Sequence, residues 1–264
     1  MANSLKNLTS ILLLLFLTPI IIATIQTPLS SKQIVENKKE DTPVVYAAQL
    51  ESKPDITEII EPKKAFVYFT HAHEAYRPIL ADKGEKIAIY DPITNISTFQ
   101  EQIAAQFAFH QVDTQFLEDH NPDVMDNYYT IRPFVQNAIA HSDYDIVLDI
   151  HRDAQKAKVT TLQIGEETYA KFIFVIGGEH ANYKWNEQLA QNLSDQLNKL
   201  VPGISRGIIV KTGKGVDGVY NQDLAKNLLV VELGGVDNTE QEVDRSIAIL
   251  AKAISNMFNQ QIPS

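Results

Sequence analysis

A histidine and a glutamate stand together at the first place where the sequence could bind a metal ion. His71 and Glu74 are three positions apart and directly follow the apolar run Ala65–Phe69. That spacing lets an imidazole and a carboxylate meet at one metal from a tight loop or a first helical turn. Such a pair is also common by chance, so a polar loop with surface histidines is the alternative for this stretch alone.

A second candidate is a histidine flanked by acids at the end of another apolar run. Because side chains alternate along a strand, Asp149, His151 and Asp153 would share one side of it. A carboxylate beside a histidine can orient the ring, so that its other nitrogen binds a metal. The alternative is a salt-bridged strand end in which Arg152 pairs with a neighbouring acid.

The third candidate is Glu232, which ends the apolar run Leu228–Val231 and precedes two glycines. A carboxylate is costly to bury unless it has a partner or a chemical role. Glu232 could accept a proton from a zinc-activated water and return it to a leaving amine. The alternative is a glutamate that caps a helix or forms a salt bridge.

The elements that must position these residues alternate between strands and helices. Strands are predicted at Ala65–Thr70, Asp145–His151, Lys171–Gly177, Gly207–Lys211 and Leu228–Leu233, and helices at Thr98–His110, Met125–His141, Trp185–Leu200 and Thr239–Phe258. This order predicts an α/β fold with an open, mostly parallel sheet and helices on both faces. The candidate residues would then meet at one sheet edge, and two histidines with one carboxylate leave a fourth zinc position open.

The N-terminal part of the chain is predicted to be a targeting segment and not part of this fold. Lys6 precedes an uncharged run from Leu8 to Ile25, which predicts a signal-anchor or transmembrane segment over residues 1–26. A flexible stalk outside the cytoplasm is predicted over residues 27–64, where Ser, Lys, Glu and Gln dominate. The catalytic domain is expected at residues 65–264, on the outer side of the cell membrane, or secreted if the anchor is cleaved.

Composition excludes several classes of protein. The 264 residues include no cysteine, which removes disulfides, cysteine nucleophiles and thiolate metal ligands, so any zinc must be bound by histidine and carboxylate. The formal net charge of −10 disfavours a nucleic-acid partner, because phosphate binding needs positive charge.

Several stretches in this order resemble the stage II sporulation protein P family of cell-wall hydrolases. The matching stretches are Tyr68–Tyr76, Asp149–Ala154, Phe174–Gly178, Asn186, Ser205–Gly207, Tyr220–Leu224 and Val231–Thr239. Two residues depart from the pattern, since the family often has a histidine where Phe69 stands and a serine where Ala75 stands. The segment from Arg77 to Gln111 fits the family only loosely.

The resemblance implies a fold related to zinc N-acetylmuramoyl-L-alanine amidases and cleavage of the amide that joins the glycan to the stem peptide. Endopeptidase cleavage of the peptide part is also associated with the group. Carried over by position, His71, Glu74 and His151 match the zinc ligands, and Glu232 matches the catalytic acid and base.

Further expectations concern substrate and partners. Arg152, Asn221 and Asn238 are predicted to bind substrate. His73 and His120 are not predicted to be metal ligands. The expected partners are peptidoglycan, the membrane and proteins of a cell-wall remodelling complex. Two other functions stay open: a zinc carboxypeptidase-like peptidase, and a non-catalytic wall-binding protein with a degenerate site.

Overall fold

The apolar runs of the sequence form the strands of one central sheet. A computed structural model of the chain describes residues 61–118 and 126–259. Within them the strands are β1 Lys63–Tyr68, β2 Val112–Phe116, β3 Ile146–Asp153, β4 Thr161–Ile164, β5 Glu167–Ala170, β6 Phe172–Gly177, β7 Ser205–Lys211 and β8 Leu228–Gly235. All five predicted strands are present, with bounds that shift by a few residues.

The order of strands in the six-stranded sheet is β2-β1-β3-β8-β6-β7, and β4 and β5 form a separate antiparallel hairpin. β2, β1, β3 and β8 are parallel to one another, whereas β6 is antiparallel to β8 and parallel to β7. The α/β class and the mostly parallel sheet are therefore confirmed. Because β1, β3 and β8 run in one direction, their carboxyl ends lie at the same edge.

Six α-helices lie between these strands in the described ranges. They are α1 Arg77–Asp82, α2 Gln100–Phe109, α3 Tyr128–Ala140, α4 Ala157–Thr160, α5 Tyr183–Leu200 and α6 Glu240–Asn259, and a 3₁₀ helix, Ile96–Phe99, precedes α2. The four long helices match the predicted ones. The sequence reading missed α1 and α4, together with β2 and the β4–β5 hairpin, because each is short and lacks a sustained apolar period.

The two faces of the sheet bury two separate groups of side chains. Alternate residues of β1 divide between them: Val67 belongs to the larger core and Phe66 to the smaller one. The larger core includes side chains of α2, α5 and α6, and the smaller one includes Ile131 and Val135 of α3. Helices therefore cover both faces, as predicted, and α3 packs on the face that carries Tyr68.

The predicted signal-anchor, residues 1–26, and nearly all of the predicted stalk, residues 27–64, lie outside the described residues, as does His120. β1 begins at Lys63, two residues before the predicted start of the domain. No helix among residues 61–118 and 126–259 is long and apolar enough to span a membrane.

Candidate active site

The carboxyl ends of β1, β3 and β8 bring the three candidate stretches together. His151 of β3 pairs in register with Glu232 of β8, so the two side chains are neighbours across the ladder. His71 follows the end of β1, and its ring centre lies 5.2 Å from that of His151. Glu74 reaches the same place, since its carboxylate lies near His151. All four candidate residues therefore share one site.

His151 lies between two carboxylates, one on each side of its ring. Its Nε2 is 3.0 Å from Oδ1 of Asp149, and its Nδ1 is 3.6 Å from Oε2 of Glu74. Burial lowers the pKa of His151, but the two acids outweigh it and hold this pKa well above its usual value. The buried ring therefore carries a proton that a metal ion could replace.

Asp149 is the residue that orients this ring. It is fully buried, and it accepts hydrogen bonds from the backbone N–H of Thr70 at 2.9 Å and from the Thr70 hydroxyl at 2.7 Å. A carboxylate fixed in this way holds the Nε2–H of a histidine and leaves Nδ1 as the atom that can bind a metal. For His151 that atom faces Glu74.

Glu74 is buried, and its Oε2 accepts a hydrogen bond from the backbone N–H of Arg152 at 2.7 Å. Burial raises the pKa of Glu74, but hydrogen bonding and charge from His151, with the Arg152 N–H, lower it below its usual value overall. Glu74 is therefore ionised at neutral pH, as a metal ligand must be.

His71 presents one ring nitrogen to the site. Its Nδ1 lies 2.5 Å from the backbone carbonyl oxygen of Asp126. Because a carbonyl can only accept, Nδ1 carries the proton, and Nε2 has the lone pair that a metal needs.

Glu232 has a buried carboxylate oxygen, Oε2, without a hydrogen-bond partner among the described residues. Burial raises the pKa of Glu232 to about 7; the charge of His151 opposes this shift and that of Glu74 adds to it. A carboxyl group with this pKa can both accept and donate a proton near neutrality.

The histidine nitrogens and the carboxylate are atoms of the type that zinc binds, and one distance between two of them suits a zinc site. Two ligands bound to tetrahedral zinc at roughly 2.1 Å lie about 3.4 Å apart, close to the 3.6 Å between Glu74 Oε2 and His151 Nδ1. His71 lies next to this pair but does not complete it, because no group of three His, Asp or Glu side chains in residues 61–118 and 126–259 is already arranged to hold a metal ion.

Comparison with known proteins identifies the family. The family model described as Stage II sporulation protein P (SpoIIP) matches residues 22–255, which is most of the chain. The chain belongs to the stage II sporulation protein P family. The resemblance stated from the sequence is confirmed.

One relative and two solved structures illustrate the likeness. Stage II sporulation protein P of Bacillus subtilis (strain 168) is 29% identical over 247 residues; the match covers 88% of this chain and 62% of the relative. An N-acetylmuramoyl-L-alanine amidase from Clostridium difficile 630 has a TM-score of 0.45 at 14% identity, covering 76% of this chain and 97% of that one. A metallo-carboxypeptidase from Burkholderia cenocepacia has a TM-score of 0.48 at 10% identity, and the match covers 80% of this chain and 60% of that one.

The three residues predicted to bind substrate in this family member have internal contacts. The guanidinium of Arg152 is buried and donates to the carbonyl oxygens of Ile89 and Asp153. Asn238 accepts from the Gly235 N–H and donates to Glu242. Their role in substrate binding stays a prediction, and the structure adds a role in holding the fold.

Asn221, the third of these residues, supports an aromatic residue that sequence reasoning missed. Its side chain donates to the backbone carbonyl of Tyr128 at 2.9 Å. The Tyr128 ring stacks on His151, its edge meets His71, and its hydroxyl lies 3.3 Å from His151 Nε2. The Tyr220 and Tyr128 rings meet edge to face, with their centres 5.1 Å apart. No motif marks Tyr128, because it reaches the site only through the packing of α3.

Proposed function

We propose that this protein is a zinc-dependent peptidoglycan hydrolase that cleaves the amide between N-acetylmuramic acid and the stem peptide. Membership of the sporulation family supports a role in remodelling the cell wall during sporulation. The observation that carries the chemistry is Glu232, a buried carboxyl group beside two histidines and a second carboxylate; one of its oxygens has no hydrogen-bond partner within residues 61–118 and 126–259. Hydrolysis of an amide needs such a proton carrier next to a group that polarises the carbonyl.

His71, Glu74 and His151 would hold the zinc ion, leaving one position for substrate and water. When bound, zinc lowers the pKa of water and polarises the scissile carbonyl. Asp149 keeps the His151 ring in the orientation that ligation requires. Tyr128 stacks on the His151 ring and contacts the His71 ring edge to face, so it would limit the access of bulk water to His151.

Glu232 carries the proton through the reaction. Ionised, it accepts a proton from the attacking water; it then donates that proton to the amine of the stem peptide as the amide bond breaks. Its pKa of about 7 suits both steps, because neither the ionised nor the protonated form is strongly disfavoured at neutral pH. Oε2, which makes no hydrogen bond to any residue that the structure describes, is the atom that can take this proton.

For this function the catalytic domain would lie on the outer side of the cell membrane, where peptidoglycan is found. Residues 1–26 would anchor the chain in the cell membrane, and residues 27–64 would carry the catalytic domain away from it on the outer side. Other proteins of a wall-remodelling complex would bind the same chain.

A glutamine at position 232 tests the assignment. We expect Glu232→Gln to bind zinc as the wild type does but to lose activity by about 10²–10⁴-fold, since only the proton carrier is removed. His71→Ala should lose both zinc and activity. Mass spectrometry of digested peptidoglycan, with metal analysis of each variant, gives the measurement.

The products of the same digest identify the bond. Free stem peptides with intact amino termini support an amidase, whereas shortened stem peptides still attached to muramic acid would show a peptidase instead. If the protein binds the cell wall but does not bind zinc and releases no products, the hydrolase proposal is wrong.

A further inference from the structure

A short apolar segment, residues 87–93, lies at the surface beside the candidate active site. Four of its large side chains are exposed: Ile87 at 59%, Ile89 at 46%, Tyr90 at 60% and Ile93 at 77%. Single exposed apolar residues are common, but four within seven positions concentrate apolar surface in one short segment, as occurs where a ligand binds.

Backbone hydrogen bonds tie this apolar segment to the loop that carries the proposed metal ligands. The Ala75 N–H donates to the Ile89 carbonyl at 3.0 Å, and the Asp91 N–H donates to the His73 carbonyl at 2.9 Å. These bonds flank an antiparallel bridge between Glu74 and Tyr90. The backbone of Tyr90 therefore has a fixed position relative to Glu74.

Arg152 covers one side of the Tyr90 ring. Its guanidinium carbon lies 5.9 Å from the ring centre, and its Nη2 donates to the Ile89 carbonyl at 2.8 Å. The backbone N–H of the same residue donates to Glu74. This cation–π contact holds the ring, while more than half of the Tyr90 surface stays exposed to solvent.

The apolar segment contains no lysine or arginine, and the Arg152 guanidinium against the Tyr90 ring belongs to a buried residue. Asp91 is the one charged residue within residues 87–93, and its Oδ1 accepts hydrogen bonds from the backbone N–H groups of Ile93 and Thr94 at 2.9 and 2.8 Å. A stem peptide with carboxylate groups would be bound best by cations. A pyranose ring instead has one face of C–H groups, which packs flat against an aromatic ring.

We propose that Tyr90 forms a saccharide subsite in which a sugar ring of the glycan strand stacks on the exposed side of Tyr90. This subsite rests on the proposed function, because it positions the glycan side of the scissile amide next to Glu74. The fixed ring loses little conformational freedom when the sugar binds, which favours affinity. The role of Arg152 in recognition is then to hold Tyr90.

The test measures binding without hydrolysis. Full-length protein carrying Glu232→Gln is titrated with glycan strands stripped of their stem peptides, and separately with free stem peptides, by isothermal calorimetry. We expect Tyr90→Ala to weaken binding of the stripped glycan about tenfold, since an aromatic stacking contact is lost. Tyr90→Phe keeps the ring and should bind as the parent does.

Phe109→Ala is the matched control, because Phe109 is a similarly exposed aromatic residue, at 56%, outside the apolar segment. It should leave glycan binding unchanged. Unchanged glycan affinity in Tyr90→Ala would overturn the subsite. So would a loss confined to stem peptides, because the segment would then bind peptide.

The subsite and the proposed function fail in different ways. If Tyr90→Ala weakens binding of stripped glycan but the wild type releases no stem peptide, the subsite stands and the amidase assignment is wrong. If the wild type releases stem peptide and Tyr90→Ala binds stripped glycan normally, the amidase stands and the subsite is wrong.

Discussion

At the scale of single residues, His151 is oriented by a carboxylate that does not face the proposed metal position. Asp149 binds Nε2 and is itself held by Thr70, so the ring cannot rotate without breaking a buried set of hydrogen bonds. Buried polar networks of this kind fix geometry because each broken bond leaves an unsatisfied group.

Asp149→Asn should therefore weaken zinc binding without removing a proposed ligand. We expect a loss of about 10–100-fold in affinity, the range seen when the partner of a ligating histidine is changed. Competition with a chromophoric chelator measures it. Asp113→Asn, at an exposed position of β2, is the control and should bind zinc normally; equal affinity in both variants would contradict the role of Asp149.

At the scale of elements, β8 carries Glu232 and ends in two glycines. Gly234 has a φ of +66°, and a Cβ at Gly235 would overlap the carbonyl oxygen of Gln155 and the side chain of Thr160. The backbone at Gly235 therefore packs closely against Gln155 and Thr160 at the end of β8, next to the site.

Gly235→Ala should destabilise the domain by roughly 2–4 kcal/mol, because overlap with backbone cannot be relieved by a side-chain rotation. Gly165→Ala makes a suitable comparison, since Gly165 has a positive φ, which strains an alanine, but a Cβ there meets nothing within 4 Å. We expect that change to cost only about 1 kcal/mol. Urea unfolding of both variants measures the difference, and equal costs would contradict the close-approach argument.

Helix α6 contains an acid that gives the domain a predictable pH dependence. Burial raises the pKa of Asp244 to about 7, and the nearby charge of Glu240 adds to the shift. A folded-state pKa above the unfolded value means that the folded protein binds more protons between the two values. Stability from this group is therefore lost as the pH rises from about 4 to about 7.

Asp244→Asn should remove that loss and raise the free energy of unfolding at pH 7.5 by on the order of 1 kcal/mol, a figure reduced for solvent screening at a partly exposed site. Thermal unfolding at pH 5 and pH 7.5 compares the variant with the wild type. Glu166→Gln, in the exposed turn between β4 and β5, is the control; an equal gain in both variants would contradict the assignment to Asp244.

At the scale of the whole molecule, the proposed anchor makes the location of the chain testable. The full chain should sediment with membranes, and deletion of residues 1–26 should release it, because the uncharged run from Leu8 to Ile25 is the segment that favours the bilayer. Fractionation followed by immunoblotting measures the distribution. A deleted chain that still sediments with membranes would contradict the anchor.

The sequence predicted the α/β class and the strands that carry the site, because long apolar runs and helical periods survive in almost any packing. It could not reveal β2, whose polar residues suit an exposed edge, or the reversed direction of β6. Strand direction depends on how connections pack across the sheet, which local periodicity does not encode.

The sequence by itself singled out the candidate residues, His71, Glu74, His151 and Glu232, because the chemistry available to them is a property of residue type and local spacing. Only the tertiary structure decided what surrounds them. Tyr128 meets His151 through the packing of α3, and Arg152 faces Tyr90 rather than solvent. Such contacts join residues far apart in the chain, so they exist only once the sheet and its helices have packed.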